Sequence, residues 1–342
     1  MGTKTARIDK WDNYKLILII LVVIGHLMKE HQDYSRTART IYWWIYLFHM
    51  PAFIMASGMF AKRSIRERRY EKVFMFLILY FMIKFMIFLT RVLLGERISM
   101  TLFSASGVEW YAFALGVFYL LTMFLQKFDR RHIFLLALVL GCAAGYDKSI
   151  GDEYVLARII TFYPFFLLGF YLESEQVMAF TGKKLFKTAA VLALVIALLV
   201  GLFYIDKVYW SIDLIKGNTS YKIFAKDVRA YAVFYRLGQY LVAGLLVFSV
   251  FALVPSRKLA FSYIGRQTLP IYALHYIVIE LFYTLFNGTA LIQSISSRYY
   301  EFLLIPIGIL MVLILSLKPF VALVNRIIAV KPAAENTEPK KS

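Results

Sequence analysis

The chain is 342 residues long, with residues of the AVILMFWYC class making up 61%, aromatic residues 17% and charged residues only 18%. A soluble domain of this length carries far more polar surface, so most of this chain must find an apolar solvent. The formal net charge of +18, in so hydrophobic a chain, points to cationic loops holding a membrane face and away from nucleic acid.

Apolar blocks long enough to cross a hydrocarbon core take about 20 helical residues, and the sequence predicts ten such helices. The first, 12–28, follows a short tail with Lys4, Arg7 and Lys10. No small-residue cleavage site follows Met28, so it reads as a retained span and not a signal peptide. It carries two titratable residues, Lys15 and His26. The second, 41–61, holds His49, Pro51, Ser57 and Gly58 and runs into Lys62, Arg63, Arg66, Arg68, Arg69 and Lys72. The third, 73–94, carries Lys84 and Arg91. The fourth, 109–127, opens on Trp110 and Tyr111. The fifth, 133–147, contains Cys142; a lone cysteine makes neither an intrachain disulfide nor a cysteine metal site. The sixth, 154–172, holds Arg158 and Pro164, and the seventh is 188–205. After a long polar segment, Asp206 to Arg229, come the eighth (231–254, with Arg236), the ninth (269–288, with His275) and the tenth (301–325).

The predicted fold class is therefore all-α: a polytopic integral membrane bundle of about ten transmembrane helices. One membrane domain covers 1–328, followed by a short polar tail, 329–342. Lys and Arg concentrate in the tail and in alternate loops: 62–72, Lys127 to Arg131, Lys183 to Lys187, Arg257 to Arg266, and from Arg326 onward. By the positive-inside rule these loops and both termini are cytoplasmic. The Gly and Pro interruptions do not recur at matching places in the two halves, which argues against an inverted-repeat transporter.

Titratable groups inside a membrane are costly and mark functional sites by default. From Lys15 to His26 is eleven steps of about 100°, so the two side chains share one helix face to within about 20°, about 16 Å apart along the axis. That suits one tunnel with a cation at its cytosolic mouth and an imidazole toward the outer end. Spacing alone leaves the alternative open: Lys15 snorkelling to headgroups and His26 an interfacial histidine.

The stretch from Arg7 to His26, with a basic residue, ten residues and then histidine, resembles the opening of membrane acyltransferases of acyltransferase family 3. In particular it is similar to the fucose 4-O-acetylase-like branch. Further signatures follow in order along nearly the whole chain: Phe48-His49-Met50-Pro51 leading to Ser57-Gly58, Arg63-Ser-Ile-Arg66, Trp110-Tyr111, Phe162-Tyr163-Pro164-Phe165-Phe166 with Gly169, and Ile264-Gly265-Arg266 followed by Leu269-Pro270-Ile271-Tyr272 and His275.

The resemblance implies an enzyme of the bacterial cytoplasmic membrane. Its co-substrate is acyl-CoA, usually acetyl-CoA, not a tightly bound cofactor, and its acceptor is a hydroxyl of a cell-envelope or exported carbohydrate. His26 matches the catalytic histidine. Neutral imidazole titrates near neutrality and suits a general base. Lys15 stands at the basic position and is expected to bind or orient the donor. Arg63 and Arg66 are expected to grip the CoA phosphates, although orientation alone would also explain this basic run, and Arg66 with Arg69 fits the same spacing. His49, Ser57 and His275 are candidates for supporting the site, with hydrogen-bonded structural roles equally open. Arg91, Arg158 and Arg236, toward the outer halves of their spans, suggest a pocket for an anionic acceptor. No clustered His/Asp/Glu spacing suggests a metal. Some relatives carry an added extracytoplasmic domain that completes transfer, so a separate partner is an open expectation here. The competing reading is a transporter or flippase for a glycan or lipid-linked sugar.

Overall fold

The computed structural model describes residues 8–102, 107–147, 150, 155–296 and 299–329. Lys4, Arg7, Lys331, Lys340, Lys341 and nearly all of the expected tail lie outside them, as does most of the connection from Asp147 to Glu153.

Helices and no strand make up the regular structure of the described residues. In chain order they are α1 (Asp9–Lys29), α2 (Arg36–Tyr46), α3 (His49–Arg66), α4 (Tyr70–Leu93), α5 (Trp110–Leu125), α6 (Arg130–Ala143), α7 (Leu156–Tyr171), α8 (Ser174–Thr181), α9 (Lys184–Val208), α10 (Ser211–Lys216), α11 (Ala232–Leu253), α12 (Thr268–Leu285), α13 (Gly288–Ile295), α14 (Leu304–Leu315) and α15 (Lys318–Ile328). Each of the ten predicted spans coincides with at least one helix. Six of them are long and apolar enough to cross a membrane, or up to eight if bent pairs count as single spans. This is an all-α, multi-pass membrane protein.

The second and last predicted spans are each broken in two. Between α2 and α3 the helix lapses at Leu47 and Phe48, three residues before Pro51, which then sits in the first turn of α3 where its missing N–H costs nothing. The tenth is cut at Ser316 and Leu317, ahead of Pro319 in the first turn of α15. At the end of α7 the chain turns by 94° into α8.

α1 is the axis of the bundle. It packs against α2, α3, α12, α14 and the turn Ile264–Arg266, and 72% of its apolar window is buried, against 17% for the peripheral α9. The exposed Leu, Val and Phe side chains of α9 (Leu192, Ile196, Phe203) face the apolar surroundings that the composition demands. α3 and α7 cross backbone to backbone: a Cβ on Gly58 would overlap the Phe166 carbonyl, and one on Gly169 the Met55 carbonyl. Small residues permit such close van der Waals packing in membranes, where no hydrophobic effect drives helices together.

The segments assigned to one membrane side do meet at one end of the bundle. Lys62 pairs with Glu173 at 2.8 Å, Gln126 donates to the Ile65 carbonyl at 3.1 Å, and Asn13 reaches the Arg257 carbonyl at 2.8 Å. At the opposite end the segment 206–229 is folded, with a small core of Leu214, Tyr221, Phe224 and Ala232. Tyr221 ties it to the Cys142 carbonyl at 2.6 Å.

Candidate active site

The two ends of α1 hold different kinds of polar structure. At the basic end, Asp12 receives Lys15 at 3.3 Å and Arg266 at 3.1 Å. Asn13, fully buried, donates to the carbonyls of Pro255 (2.9 Å) and Arg257 (2.8 Å) and accepts from Ser262 at 2.5 Å. Trp11 donates to Ser174 at 2.7 Å and Tyr14 to the Val247 carbonyl at 3.0 Å. Gly265 lies directly against the Asp12 backbone, where a Cβ would overlap the carbonyl. The stretch around Lys15 is thus a knot that fastens α1 to the loop before α12. Lys15 itself also lies 4.7 Å from the Phe60 ring centroid, one turn from Arg63. Arg63 is 82% exposed and paired with Glu67 at 2.7 Å, and Arg66 is exposed beside it.

At the other end lies a cavity of ≈ 560 Å³ lined by His26, within the range of about 300–1,000 Å³ usual for small-molecule sites. His26 is partly exposed into it, while its Nδ1 is buried without a partner. The rings of His275 and Tyr276 stand 5.2 and 5.6 Å from that of His26. His49 lines the same cavity; its Nδ1 donates to the Ile45 carbonyl at 3.0 Å, which also accepts from the Phe48 backbone N–H at 3.3 Å. His49 thus makes a structural hydrogen bond and is at the same time part of the cavity wall. His275 is fully buried and donates from Nδ1 to the Tyr272 carbonyl at 2.6 Å. Ser57 lies off this cavity and shares a hydrogen bond with the Tyr111 hydroxyl at 2.8 Å.

A second cavity of ≈ 20 Å³ shares Val22, Met50 and Tyr272 with the first and reaches Thr268 and Leu269 at the start of α12. It points from His26 toward the basic end, along the helix face that Lys15, Val22 and His26 share.

Arg91 and Arg158 line the main cavity, and Arg236 does not. Arg236 turns away on α11 and donates to the Leu214 carbonyl (2.6 Å) and to Gln239 (3.2 Å), bracing α10 from behind while Ile215 and Lys216 form part of the cavity wall. Burial of its guanidinium between helices outweighed its nominal depth in the span. Arg158 lies 5.1 Å from the Trp110 ring, Arg91 binds Glu280 at 2.5 Å, and Lys84 approaches Glu109 at 3.5 Å. Glu109 and Glu280 were passed over in the sequence, although a carboxylate in an apolar block is as informative as a cation. Tyr46, whose ring is 4.4 Å from that of His49, also lines the cavity; its place three residues before His49 was a signal the sequence offered. Among the described residues no group of His, Cys, Asp or Glu is arranged to hold a metal ion.

The order of motifs and this cavity bear on a comparison with known families. A family model described as an acyltransferase domain matches residues 8–319. The chain belongs to acyltransferase family 3. That match spans every helix from α1 to the start of α15, so both the knot at the basic end and the His26 cavity are parts of the acyltransferase domain. Searches of curated proteins and of solved structures returned no match.

Proposed function

We propose that this acyltransferase moves an acyl group, most directly acetyl, from cytosolic acyl-CoA to a hydroxyl of a cell-envelope or exported carbohydrate, with His26 as general base. The observation that carries this reading is His26 itself, open to a small-molecule-sized cavity and holding a buried ring nitrogen with no partner among the described residues. Neutral imidazole takes the proton as the sugar oxygen attacks the thioester carbonyl. The C–S bond then breaks, and the departing thiolate recovers that proton from the imidazolium.

The positive-inside rule assigns the basic end to the cytosol. Donor CoA then meets Arg63 and Arg66 at the surface, with Lys15 beside Phe60, one turn before Arg63 on α3, and the narrow second cavity marks the direction along which the pantetheine arm must open a path toward His26. Exposed arginines suit phosphate groups. Lys15 acts as a point charge that is already held by Asp12, without Arg's bidentate fork. The acceptor enters the main cavity, whose aromatic side chains stand among many polar and charged ones, a mixture that suits a hydroxyl-bearing carbohydrate ring. Arg158 and Arg91 favour an acceptor bearing phosphate or carboxylate, tempered by Glu280 and Glu109. Equal turnover of neutral and charged forms of one glycan would contradict that last point.

The test is transfer of label from acetyl-CoA into an envelope-glycan extract by the reconstituted protein. Label should enter glycan with the native chain and not with His26→Ala. Movement of glycan across the membrane without release of CoA would instead favour a transporter.

A further inference from the structure

Two buried ring nitrogens near the reacting centre have no partner: Nδ1 of His26 and Nε2 of His275. Their rings are 5.2 Å apart, centroid to centroid. The protonation of His275 is fixed by its other nitrogen. Nδ1 lies 2.6 Å from the Tyr272 carbonyl oxygen, which can only accept, so Nδ1 carries the hydrogen and Nε2 of the neutral ring carries a lone pair. A lone pair fully buried against a second imidazole calls for a donor, since leaving it unpaired is costly.

The geometry points to His275 as the positioning residue for His26: its Nε2 accepts the Nδ1–H of His26 and so sets the tautomer of the base. This inference rests on the reading of His26 as general base. The two nitrogens are not hydrogen-bonded in the resting structure, and χ2 of a histidine is a torsion with broad preferences through which the rings can adjust. Catalytic hydrogen bonds commonly tighten only when substrate is bound.

The consequence is a division between the two nitrogens of His26. With hydrogen on Nδ1, the lone pair lies on Nε2, the nitrogen left to meet the acceptor hydroxyl. When Nε2 takes the proton, the Nδ1–H···Nε2 bond to His275 becomes charge-assisted and strengthens. A carboxylate fills this orienting place in many hydrolases. Here Glu109 and Glu280 each pair through one oxygen with Lys84 and Arg91, and the ring that stands against His26 is that of His275. A neutral imidazole performs the same orientation without placing a further charge in the membrane interior, where charge is expensive.

The experiment reads the tautomer directly. The chain has five histidines; with ¹⁵N-labelled histidine in the full-length reconstituted protein, His26→Ala assigns the His26 signals by their loss. The native protein, loaded with acetyl-CoA, should show His26 protonated at Nδ1 and bare at Nε2. His275→Leu should abolish that preference, whereas His275→Gln, whose amide oxygen can still accept, should keep it. Turnover should fall at least about tenfold in His275→Leu, with the KM for acetyl-CoA unchanged, and recover in part in His275→Gln. A native His26 protonated at Nε2, or a tautomer indifferent to His275→Leu, would overturn the assignment. A correct tautomer pattern with no acyl transfer from any variant, native included, would leave the pair standing and remove the function proposed for it.

Discussion

The two ends of α1 use polar residues in opposite ways. At the basic end Asp12, Asn13, Trp11 and Tyr14 are bonded to partners on three other segments, and the result is a fastening. At the far end His26 and His275 each keep a buried nitrogen unbonded beside a cavity. Stability is built where buried polar groups are satisfied, and chemistry is available where they are not. One motif, a basic residue, ten residues and then a histidine, thus spans a structural anchor and the group proposed as the base.

Substitutions at the two ends should separate cleanly. The largest effect is expected from His26→Ala: a loss of about 10²–10⁴ in turnover, the usual worth of general-base catalysis, with no change in the thermal unfolding midpoint in detergent. Asn13→Ala should do the reverse. It removes the donor to the Pro255 and Arg257 carbonyls and the acceptor of the buried Ser262 hydroxyl, costing about 1–3 kcal/mol, read as a lower midpoint in thermal unfolding. The protein that remains folded should keep its KM for acetyl-CoA. Gly169→Val, which forces α7 off the Met55 carbonyl of α3, should cost about 1–3 kcal/mol through overpacking. If it lowered turnover without lowering stability, the α3–α7 crossing would belong to the reactive region and the division would fail. The smallest effect on the fold is expected from Arg63→Gln combined with Arg66→Gln. Surface changes of this kind stay within about 0.5 kcal/mol, while the KM for acetyl-CoA should rise about tenfold, the worth of one charge-assisted hydrogen bond.

Much of this was legible from the residues. Apolar block length and the Lys/Arg bias located the helices and grouped the loops that meet at the basic end, because in a membrane both follow from the solvent. The motif series located His26, and the helical period placed it on the face shared with Lys15. What escaped was what depends on breaks and partners. The lapse of the helix at Leu47 and Phe48 is not marked by any change in the apolar pattern. Depth in a span placed Arg236 near the acceptor, whereas its bond to the Leu214 carbonyl takes it behind α10. Arg91 and Lys84 read as bare cations until Glu280 and Glu109 were seen beside them. His31, in the turn after α1, carries no such signal in the sequence and is fully buried, its Nε2 2.9 Å from the Tyr283 hydroxyl.

The most direct test of acyl transfer across the bundle is sided. Protein of known orientation is reconstituted in vesicles, with labelled acetyl-CoA only on the face that carries Arg63 and Arg66 and glycan acceptor only on the face of the His26 cavity. Label should reach the glycan, CoA should be released on the donor side in equal amount, and both should vanish in His26→Ala. Transfer that requires donor and acceptor on the same face, or CoA release that survives His26→Ala undiminished, would contradict it.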